Sequence, residues 1–497
     1  MNIKGFWHEN RVVLVVLGLL ALLSIFGWQS MGQQSFVRTA LSGLTLGALY
    51  FMVAAGLTLI FGLMDVLNFA HGAMFMVGAY AGWQFYTNPT FLFGLAPLVA
   101  ALLAGLAAGP ILQVLIRSWR VPGRWQKPLR NLLILLALAV GVAGVLGLDI
   151  LGLAKTARVA LTVAADPLAE ASPQEPLARF SLRPTLLLLA GALLALAAAR
   201  PGDETQVIRA GAARRGLITL ALMTVLTVVL TLAREAGPIA VLTMNADVRF
   251  FLALAVGALV GGGLGAVVEI SLIRPLYVRP FYQVLVTLGL AFVLKELAQL
   301  LWEPMAYQMS RPPMFAQPGK APSILAWFSL RSQTIDVMGV TFPSYRLFII
   351  VLGVSMLIAL AVLMKYSRLG MIIRAGVQDR EMVEALGINV QKVFTMVFVL
   401  GAGLAALGGI GAAPFIPVQP GMGDTFQLQA FITVVLGGMG SYMGAAIGAL
   451  LLGLARAFGD FMALKYQLSP AIAEASTVII MAIVLLVRPA GLLGKKE

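Results

Sequence analysis

The sequence contains no cysteine and only two histidines in 497 residues. A disulfide scaffold and a thiolate metal site are therefore excluded, and a histidine metal centre would lack ligands. Charged residues are also scarce, at 11% of the chain, whereas a soluble protein carries about a quarter. Because 60% of the residues are hydrophobic and the mean hydropathy is +0.94, we predict an integral membrane protein.

The formal net charge of +14 raises the alternative of a nucleic-acid partner. The basic residues, however, cluster in short links between apolar runs, which is typical of cytoplasmic membrane loops. The first apolar run, 12–28, follows Lys4 and Arg11 and has the charge pattern of a signal peptide. The segment "GWQSMGQQS" after it offers no small-x-small cleavage site, so we interpret this run as a retained anchor. We therefore expect a lipid bilayer, and no nucleic acid, as the surroundings.

Long apolar runs occupy most of the chain. A spanning helix needs about 20 mostly apolar residues, and the candidate runs are 12–28, 38–63, 69–86, 91–116, 131–154, 184–199, 217–233, 249–273, 283–302, 345–365, 393–413, 428–441, 443–458 and 470–488. These runs are continuous rather than alternating, which excludes a closed barrel. The predicted fold is all-α, a polytopic helical membrane protein with about 12–14 passes, including broken helices.

Charges in the links predict the orientation. The link 117–130 is basic without an acid, and 365–392 is strongly charged, so both are predicted to be cytoplasmic, as is the basic tail. The long, Pro-rich stretch 303–344 suits the outside. These assignments alternate correctly only if 428–458 crosses twice, with a break at "GGMGSYMG" (437–444). Both termini are then cytoplasmic.

The stretch "VLNFAHGAMFMVGAY" (66–80) places Asn68 and His71 among apolar residues. The runs on either side of its start form either a tight hairpin or a discontinuous helix broken at mid-membrane. Broken helices expose backbone N–H and C=O groups that transporters use to bind solutes. A similar break precedes small residues in "VLGGMGSYMGAAIGAL" (435–450). The two stretches indicate either an internal repeat or close packing of small residues.

The cytoplasmic segment 365–392 contains an amphipathic helix, Arg374 to Leu386, followed by Gly387 in the position of a left-handed C-cap. Such a compact, charged knob suits a cleft on another protein, and the alternative is a solvated link. Its sequence resembles the E-A-A-x-x-x-G coupling loop of ABC importer permeases, with Glu381 and Gly387 in place but Met382 and Val383 where the alanines would be.

Several motifs, in order, resemble one family. The stretches "LNFAHGAMFMVGAY", "RAGVQDREMVEALGINV", "VVLGGMGSYMGAAIGALLLG" and "LLVRPAGLLG" are similar to the LivH-type branched-chain amino acid permeases. "RPLYVRPFYQVLVTLGLAFVL" resembles the middle of that family. The resemblance covers roughly 36–88 and 249–497 of this chain.

The resemblance divides the chain into four predicted parts. These are an N-terminal anchor helix at 1–36, a first part of the permease core at 37–90, an extra transmembrane insertion at 91–248, and a second core part at 249–497 with the coupling loop 365–392. A local duplication and a convergence of Ala/Leu/Gly-rich helices both remain open as the origin of the insertion.

No catalytic constellation and no G-x-x-x-x-G-K-[ST] phosphate loop occurs, so we predict no enzyme activity and no cofactor. If ATP drives the protein, separate ATP-binding cassette subunits hydrolyse it. The residues predicted to couple to them are Arg374, Asp379, Arg380, Glu381, Glu384 and Gly387. The resemblance also implies a second, LivM-type permease subunit and a periplasmic or extracellular solute-binding protein. It places the chain in the bacterial cytoplasmic (inner) membrane.

A second set of residues is predicted to shape the translocation pathway: Asn68, His71, Gly72, Thr287, Gly289, Gly437 and Gly438. For Asn68 and His71 two interpretations stand, bonding to the broken backbone or lining the path. Lys295 and Glu296 lie about 21 Å into their run by helical rise. We interpret them as boundary residues, with an external gate as the alternative.

The predicted function is the permease subunit of an ABC importer for branched-chain or related hydrophobic amino acids. Urea or short amides are alternative substrates, because related permeases carry them. An ion-coupled secondary transporter is the alternative from another class, and it would need buried titratable groups in mid-span. Only Asp65 and His71 are candidates for that role.

Overall fold

The computed structural model describes residues 18, 21, 25, 27–116, 122–154, 180–199, 210–378 and 380–494. Most of the predicted anchor run 12–28 therefore lies outside the described residues. The helices before the middle of the chain are α1 Gln33–Met64, α2 His71–Thr87, α3 Thr90–Ala107, α4 Gly109–Ile116, α5 Gly123–Val145, α6 Leu182–Ala198, α7 Ala210–Thr243, α8 Ala246–Val268 and α9 Pro280–Trp302. A π-helical turn, Glu269–Ile273, and a 3₁₀ turn, Arg274–Leu276, extend α8.

The remaining elements include a small sheet. They are β1 Gln317–Ala321, α10 Ile324–Leu330, β2 Ser332–Val337, β3 Val340–Pro343, α11 Ser344–Tyr366, α12 Arg368–Gln378, α13 Arg380–Ala385, α14 Val390–Ala412, α15 Met422–Gly437, α16 Tyr442–Lys465 and α17 Ala471–Val487.

Within the described residues, nine helical stretches are long and apolar enough to cross a membrane: α1, α3 with α4, α5, α7, α8, α9, α11, α14 and α16. The apolar helices α6 and α17 are shorter, and α2 and α15 have 17 and 16 residues. The prediction of an all-α, polytopic membrane protein is confirmed.

The chain forms two compact units, Met1–Trp83 with Asn245–Glu497 (unit 1), and Gln84–Met244 (unit 2). The predicted insertion boundaries, 91–248, stay a prediction. In unit 2, α3 and α6 cross where Gly105 and Gly191 leave no space for a side chain. The buried Arg183 donates to the carbonyls of Gly144 and Leu146, which α5 leaves without helical partners at its C-terminal end.

Unit 1 is built on helix crossings made of small residues. A Cβ atom on Gly56 of α1 would overlap the carbonyl oxygen of Gly401 on α14, and α8 meets α14 at Gly261 and Ala406. Helix α16 runs along α1, where Gly43 contacts Leu454. Small residues let helix backbones approach closely in a bilayer, where association depends on van der Waals packing. This packing holds the interrupted helices described below.

The sheet lies in the stretch 303–344, for which the sequence indicated only a long, Pro-rich segment on the outside. Strand β1 pairs with β2 in parallel, and β2 pairs with β3 in antiparallel fashion. The β2–β3 turn consists of Met338 and Gly339, both with positive φ, as a two-residue hairpin requires. Lys320 bonds to Asp336 across β1 and β2 at 2.6 Å and holds the pKa of Asp336 below its usual value. The strands are short and Met-Gly is an uncommon turn pair, so the pattern did not indicate them.

Candidate functional site

Residues 65–70, the first break, separate α1 from α2. Helix α1 ends with Asp65 in the left-handed conformation. The chain then returns along α1, because His71, the first residue of α2, bonds to the carbonyl of Val53. Val53 lies 11 residues before the end of α1, or about 16 Å by helical rise. Helix α2 therefore begins beside the middle of α1.

Side chains from distant elements complete the hydrogen bonds of the first break. The N–H of Phe69 donates to Thr287 Oγ1 at 3.2 Å, and the N–H of Ala70 donates to Asn68 Oδ1 at 3.0 Å. The N–H of Gly72 donates to Gln427 Oε1 at 2.5 Å, and Gln427 Nε2 donates back to the carbonyl of Asn68 at 3.4 Å. Backbone groups at membrane depth need such partners, since lipid offers none.

His71 is fully buried and bonds to α1 rather than to the backbone of the first break. Its Nε2 donates at 3.0 Å to the carbonyl of Val53, which lies within continuous α1 rather than at a break. Among the described residues its Nδ1 has no hydrogen-bond partner. The ring packs closely, because a Cβ atom on Gly56 would lie 2.9 Å from its Cε1. His71 thus fastens the start of α2 to α1, while Asn68 binds the broken backbone.

The first turns of α2 and α15 meet. A Cβ atom on Gly72 would overlap the carbonyl oxygen of Gly423, and one on Gly423 would lie 2.8 Å from the carbonyl oxygen of Gly72. The two glycines stand at the second positions of α2 and α15. Two helix N-termini, each carrying partial positive charge, therefore converge inside unit 1.

Residues Gly438–Ser441, the second break, separate α15 from α16. Gly438 and Gly440 have φ values of 97° and 83°. The N–H groups of Leu492 and Leu493 donate to the carbonyls of Leu436 and Gly437, both at 2.9 Å. This break is closed by backbone from the C-terminal segment, and it lies within the predicted stretch 437–444.

The predicted pathway residues thus separate into groups. Asn68, His71, Gly72 and Thr287 come together at the first break. Gly437 and Gly438 lie at the other end of α15. Gly437 is 14 residues from Gly423, or about 21 Å along the helix. A Cβ atom on Gly289 would have no described neighbour within 4 Å.

Two polar contributors escaped the sequence analysis. Gln427 closes the first break, and Asp424 pairs with Lys295 at 2.6 Å. Both stand before the predicted run 428–441, whereas α15 begins at Met422. The signal was a polar "GDTFQLQ" leading directly into an apolar run without a helix breaker.

The predicted coupling segment forms α12 and α13. Asp379, between them, lies outside the described residues, and so do the side chains of Arg380 and Glu381. Val383 packs with Val390 and Phe394 in a buried cluster that also contacts the end of α1 at Leu63 and Met64. Gly387 has a φ of 78°, as predicted for a left-handed C-cap. Arg374, Glu384 and Leu386 are exposed.

A buried polar network lies beside this cluster. Glu269 is fully buried and accepts from Arg274 Nη2 at 2.7 Å, from Thr395 Oγ1 at 2.7 Å and from the Tyr277 hydroxyl at 2.5 Å. The π-helical turn that contains Glu269 turns its carboxylate toward α14, and Tyr277 packs edge-on against Phe394. In the part of the chain that the structure describes, no group of three His, Asp or Glu side chains could hold a metal ion.

Comparison with known proteins gives the family. Residues 212–488 match the family described as "Branched-chain amino acid transport system / permease component". The match begins inside the predicted insertion and covers more than half of the 497 residues. No solved structure matches.

Three curated relatives are similar over part of their length. The high-affinity branched-chain amino acid transport system permease protein LivH of Escherichia coli (strain K12) is 37% identical over 143 residues, 28% of this chain and 44% of the relative. The corresponding protein BraD of Pseudomonas aeruginosa is 36% identical over 161 residues, 32% of this chain and 50% of the relative. The ribose import permease protein RbsC of Escherichia coli (strain K12) is 29% identical over 225 residues, 44% of this chain and 62% of the relative. The matches with LivH and BraD thus span half of those relatives or less. By the family match, the chain belongs to the permease components of branched-chain amino acid transport systems.

Proposed function

We propose that this chain is the membrane-spanning permease subunit of an ABC importer that carries branched-chain or related hydrophobic amino acids. The observation that carries the proposal is the polar junction where α2 and α15 begin, held by Gln427 and Thr287 in the interior of unit 1. Interrupted helices of this kind are where transporters bind solutes. The names of the relatives LivH and BraD supply the substrate class.

The proposal includes partners. The exposed residues of α12, α13 and the turn after them form a docking surface for ATP-binding cassette ATPase subunits, which hydrolyse ATP in place of this chain. A LivM-type permease subunit and a solute-binding protein outside the membrane complete the importer. The buried Val383, Val390 and Phe394 support this role, because they connect the docking surface to the end of α1 next to the first break.

The test is uptake by the complete importer. Glu384→Lys reverses an exposed charge on the docking surface, and we expect inserted protein with at least tenfold less L-leucine uptake and less stimulated ATP hydrolysis. Arg214→Glu, an exposed charge reversal at the start of α7, is the matched control and should leave both activities unchanged. Full uptake in Glu384→Lys, or ATPase chains that never co-purify with the wild type, would contradict the proposal.

We further propose that the second break faces the cytoplasm and that both termini lie there, in the bacterial cytoplasmic membrane. The proximity of Gly440 to Gly62, near the end of α1, supports this orientation, since the docking surface packs on the same end. Met439 lies in the second break and is 56% exposed. A cysteine at Met439 should react with an impermeant maleimide only in inverted vesicles, and reaction from outside would refute the orientation.

The relative RbsC raises a sugar as another solute, and urea or a short amide is the alternative from the sequence. Identifying the solute that the cognate binding protein retains separates these classes from amino acids. The described residues do not support an ion-coupled transporter, because its two candidate titratable groups lie apart. Asp65 is exposed at the end of α1, whereas His71 bonds to Val53, which lies about 16 Å from that end. Uptake that persists without ATP would favour it.

A further inference from the structure

An ion pair joins α9 to α15 on the surface of unit 1. Lys295 Nζ lies 2.6 Å from Asp424 Oδ2, and the two side chains are 29% and 61% exposed. Neither residue belongs to the first break, although Asp424 immediately follows Gly423, which contacts Gly72. The pair is therefore next to the junction of α2 and α15 but open to whatever covers this face.

Three distances along helices give the depth of the pair. Lys295 is 15 residues after Pro280 and seven before Trp302, or about 22 Å and 10 Å. Asp424 is 13 residues before Gly437, or about 20 Å. Trp302, the last residue of α9, stacks on the buried Tyr80 with ring centroids 4.4 Å apart. With α9 taken as a span centred on a hydrocarbon core about 30 Å thick, the pair falls inside the core, in the third nearest the α9 C-terminus.

At this depth we expect exposed charges to face water or protein rather than acyl chains. Ionisable side chains within spanning segments face a bundle interior or a water-filled cavity, since hydrocarbon solvates them poorly. Thr425, beside Asp424, is exposed as well. One turn further along α15, the surface becomes apolar at Leu428, which is 58% exposed, and then at Phe431, which stacks on Phe69 with centroids 6.0 Å apart. This face is charged above and apolar below, in the direction of the cytoplasmic end.

We propose that Lys295 and Asp424 bind the charged head group of an amino acid in transit. The solute carboxylate takes the place of Asp424 at Lys295, and the solute ammonium takes the place of Lys295 at Asp424. The apolar side chain then lies over Leu428. Without solute the two charges neutralise each other. The assignment rests on the proposed function, and it makes the site selective for a zwitterion over urea or a sugar, which carry no charge.

The first test uses the whole importer, with its ATPase subunits, partner permease and binding protein, in proteoliposomes. Initial L-leucine uptake should fall at least tenfold in Lys295→Met and in Asp424→Asn, with complexes assembled in wild-type amounts. The pair of Lys320 and Asp336 in the sheet has the same 2.6 Å separation. Lys320→Met and Asp336→Asn are therefore matched controls, whose uptake should stay within twofold of the wild type.

The second test separates solute binding from a strut between α9 and α15. The exchange Lys295→Asp/Asp424→Lys rebuilds the ion pair with the charges reversed. Uptake should remain at least tenfold low if the charges bind solute, because the head group must turn round to meet the reversed charges and its apolar side chain then no longer lies over Leu428. Recovery to wild-type uptake in this exchange would overturn the assignment and leave a structural pair.

The third test is direct and does not depend on how the variants fold. Photo-leucine, a diazirine analogue, should label the peptides that contain α9 or α15 in the wild-type complex, and excess leucine should suppress the labelling. Labelling confined to other peptides would overturn the assignment while leaving the proposed function intact, provided that uptake is measured. A wild-type importer that takes up no amino acid would remove the proposed function, and this assignment with it.

Discussion

The two breaks of unit 1 are closed by different chemistry. At the first break, hydroxyl and amide side chains of Thr287, Asn68 and Gln427 accept from backbone N–H groups. At the second break, backbone N–H groups of Leu492 and Leu493 donate to backbone carbonyls. The first closure specifies a residue type in the break itself and one on each of two distant helices. The second relies on glycines that allow close approach and on the local cap by Ser441.

The difference follows from position. The first break runs from the end of α1 to a point beside Val53, about 16 Å further inside, and distant side chains bind its backbone there. The second break lies at the end of α15, against the C-terminal segment, and the side-chain hydrogen bond described there is local, from the N–H of Gly444 to Ser441 Oγ at 3.0 Å. We infer that the first break can take part in transport chemistry and that the second serves as a hinge or a support.

The largest loss of stability and uptake is expected at the contact between α2 and α15. In Gly72→Ala the new methyl group would overlap the carbonyl oxygen of Gly423, so the backbones must separate. Overpacking costs about 1–3 kcal/mol, and we expect low yield, a lower melting temperature and little uptake. Gly289→Ala adds the same methyl group with no described neighbour within 4 Å and should behave as the wild type. Equal stability of the two variants would contradict the contact.

A smaller loss is expected at the second break. Gly438→Ala combines a φ of 97° with overlap on the N atom of Gly494, whereas Gly440→Ala combines a φ of 83° with a Cβ distance of 3.3 Å to Gly62 Cα. Both carry a backbone cost of about 1 kcal/mol, and only the first adds a clash. Thermal unfolding in detergent should rank wild type, Gly440→Ala and Gly438→Ala in decreasing stability. The reverse order would show that the C-terminal segment does not close this break.

Thr287 separates shape from hydrogen bonding at the first break. Thr287→Val keeps the volume but leaves the N–H of Phe69 without its acceptor, which costs about 1–3 kcal/mol when the group is buried. Thr287→Ser retains the hydroxyl and should keep most of the uptake and stability. If valine is tolerated as well as serine, the side-chain closure of the first break is not required.

The smallest effect is expected from His71→Gln. An amide can donate to the carbonyl of Val53 as the imidazole does, so uptake should be largely kept between about pH 5.5 and 8, the range over which histidine ordinarily titrates. His71→Leu loses that hydrogen bond and should lower uptake further. A variant that is dead as glutamine but active as leucine would show that bonding to Val53 is not what His71 contributes.

The contrast between the breaks also shows what sequence reasoning reaches. "GGMGSYMG" predicted the second break, because a cluster of glycines in an apolar run indicates backbone with positive φ, as Gly438 and Gly440 have. Gly387 was predicted for the same reason. The closure of the first break could not be predicted, since Gln427 and Thr287 lie 355 and 218 residues from their partners.

The start of α15 was missed for a different reason. Asp424 and Gln427 lower the local hydropathy, so the apolar run was drawn from 428 although the helix begins at Met422. The network around Glu269 was missed because its acid and base are five residues apart across a π-helical turn, a spacing that a regular helix does not favour. Hydropathy alone therefore missed mainly polar residues at helix ends.

The partners of both breaks impose an order on biosynthesis. The ribosome completes residues 65–70 long before it adds Thr287 and Gln427, and it adds Gly437 before Leu493. The backbone groups of both breaks therefore lack these hydrogen-bond partners during translation. Unit 2 is continuous in sequence and can fold as soon as it is made, whereas unit 1 needs residues from both of its segments. A nascent chain arrested before the C-terminal segment should therefore hold a folded unit 2 and an incomplete unit 1, in which the carbonyls of Leu436 and Gly437 lack the N–H groups of Leu492 and Leu493.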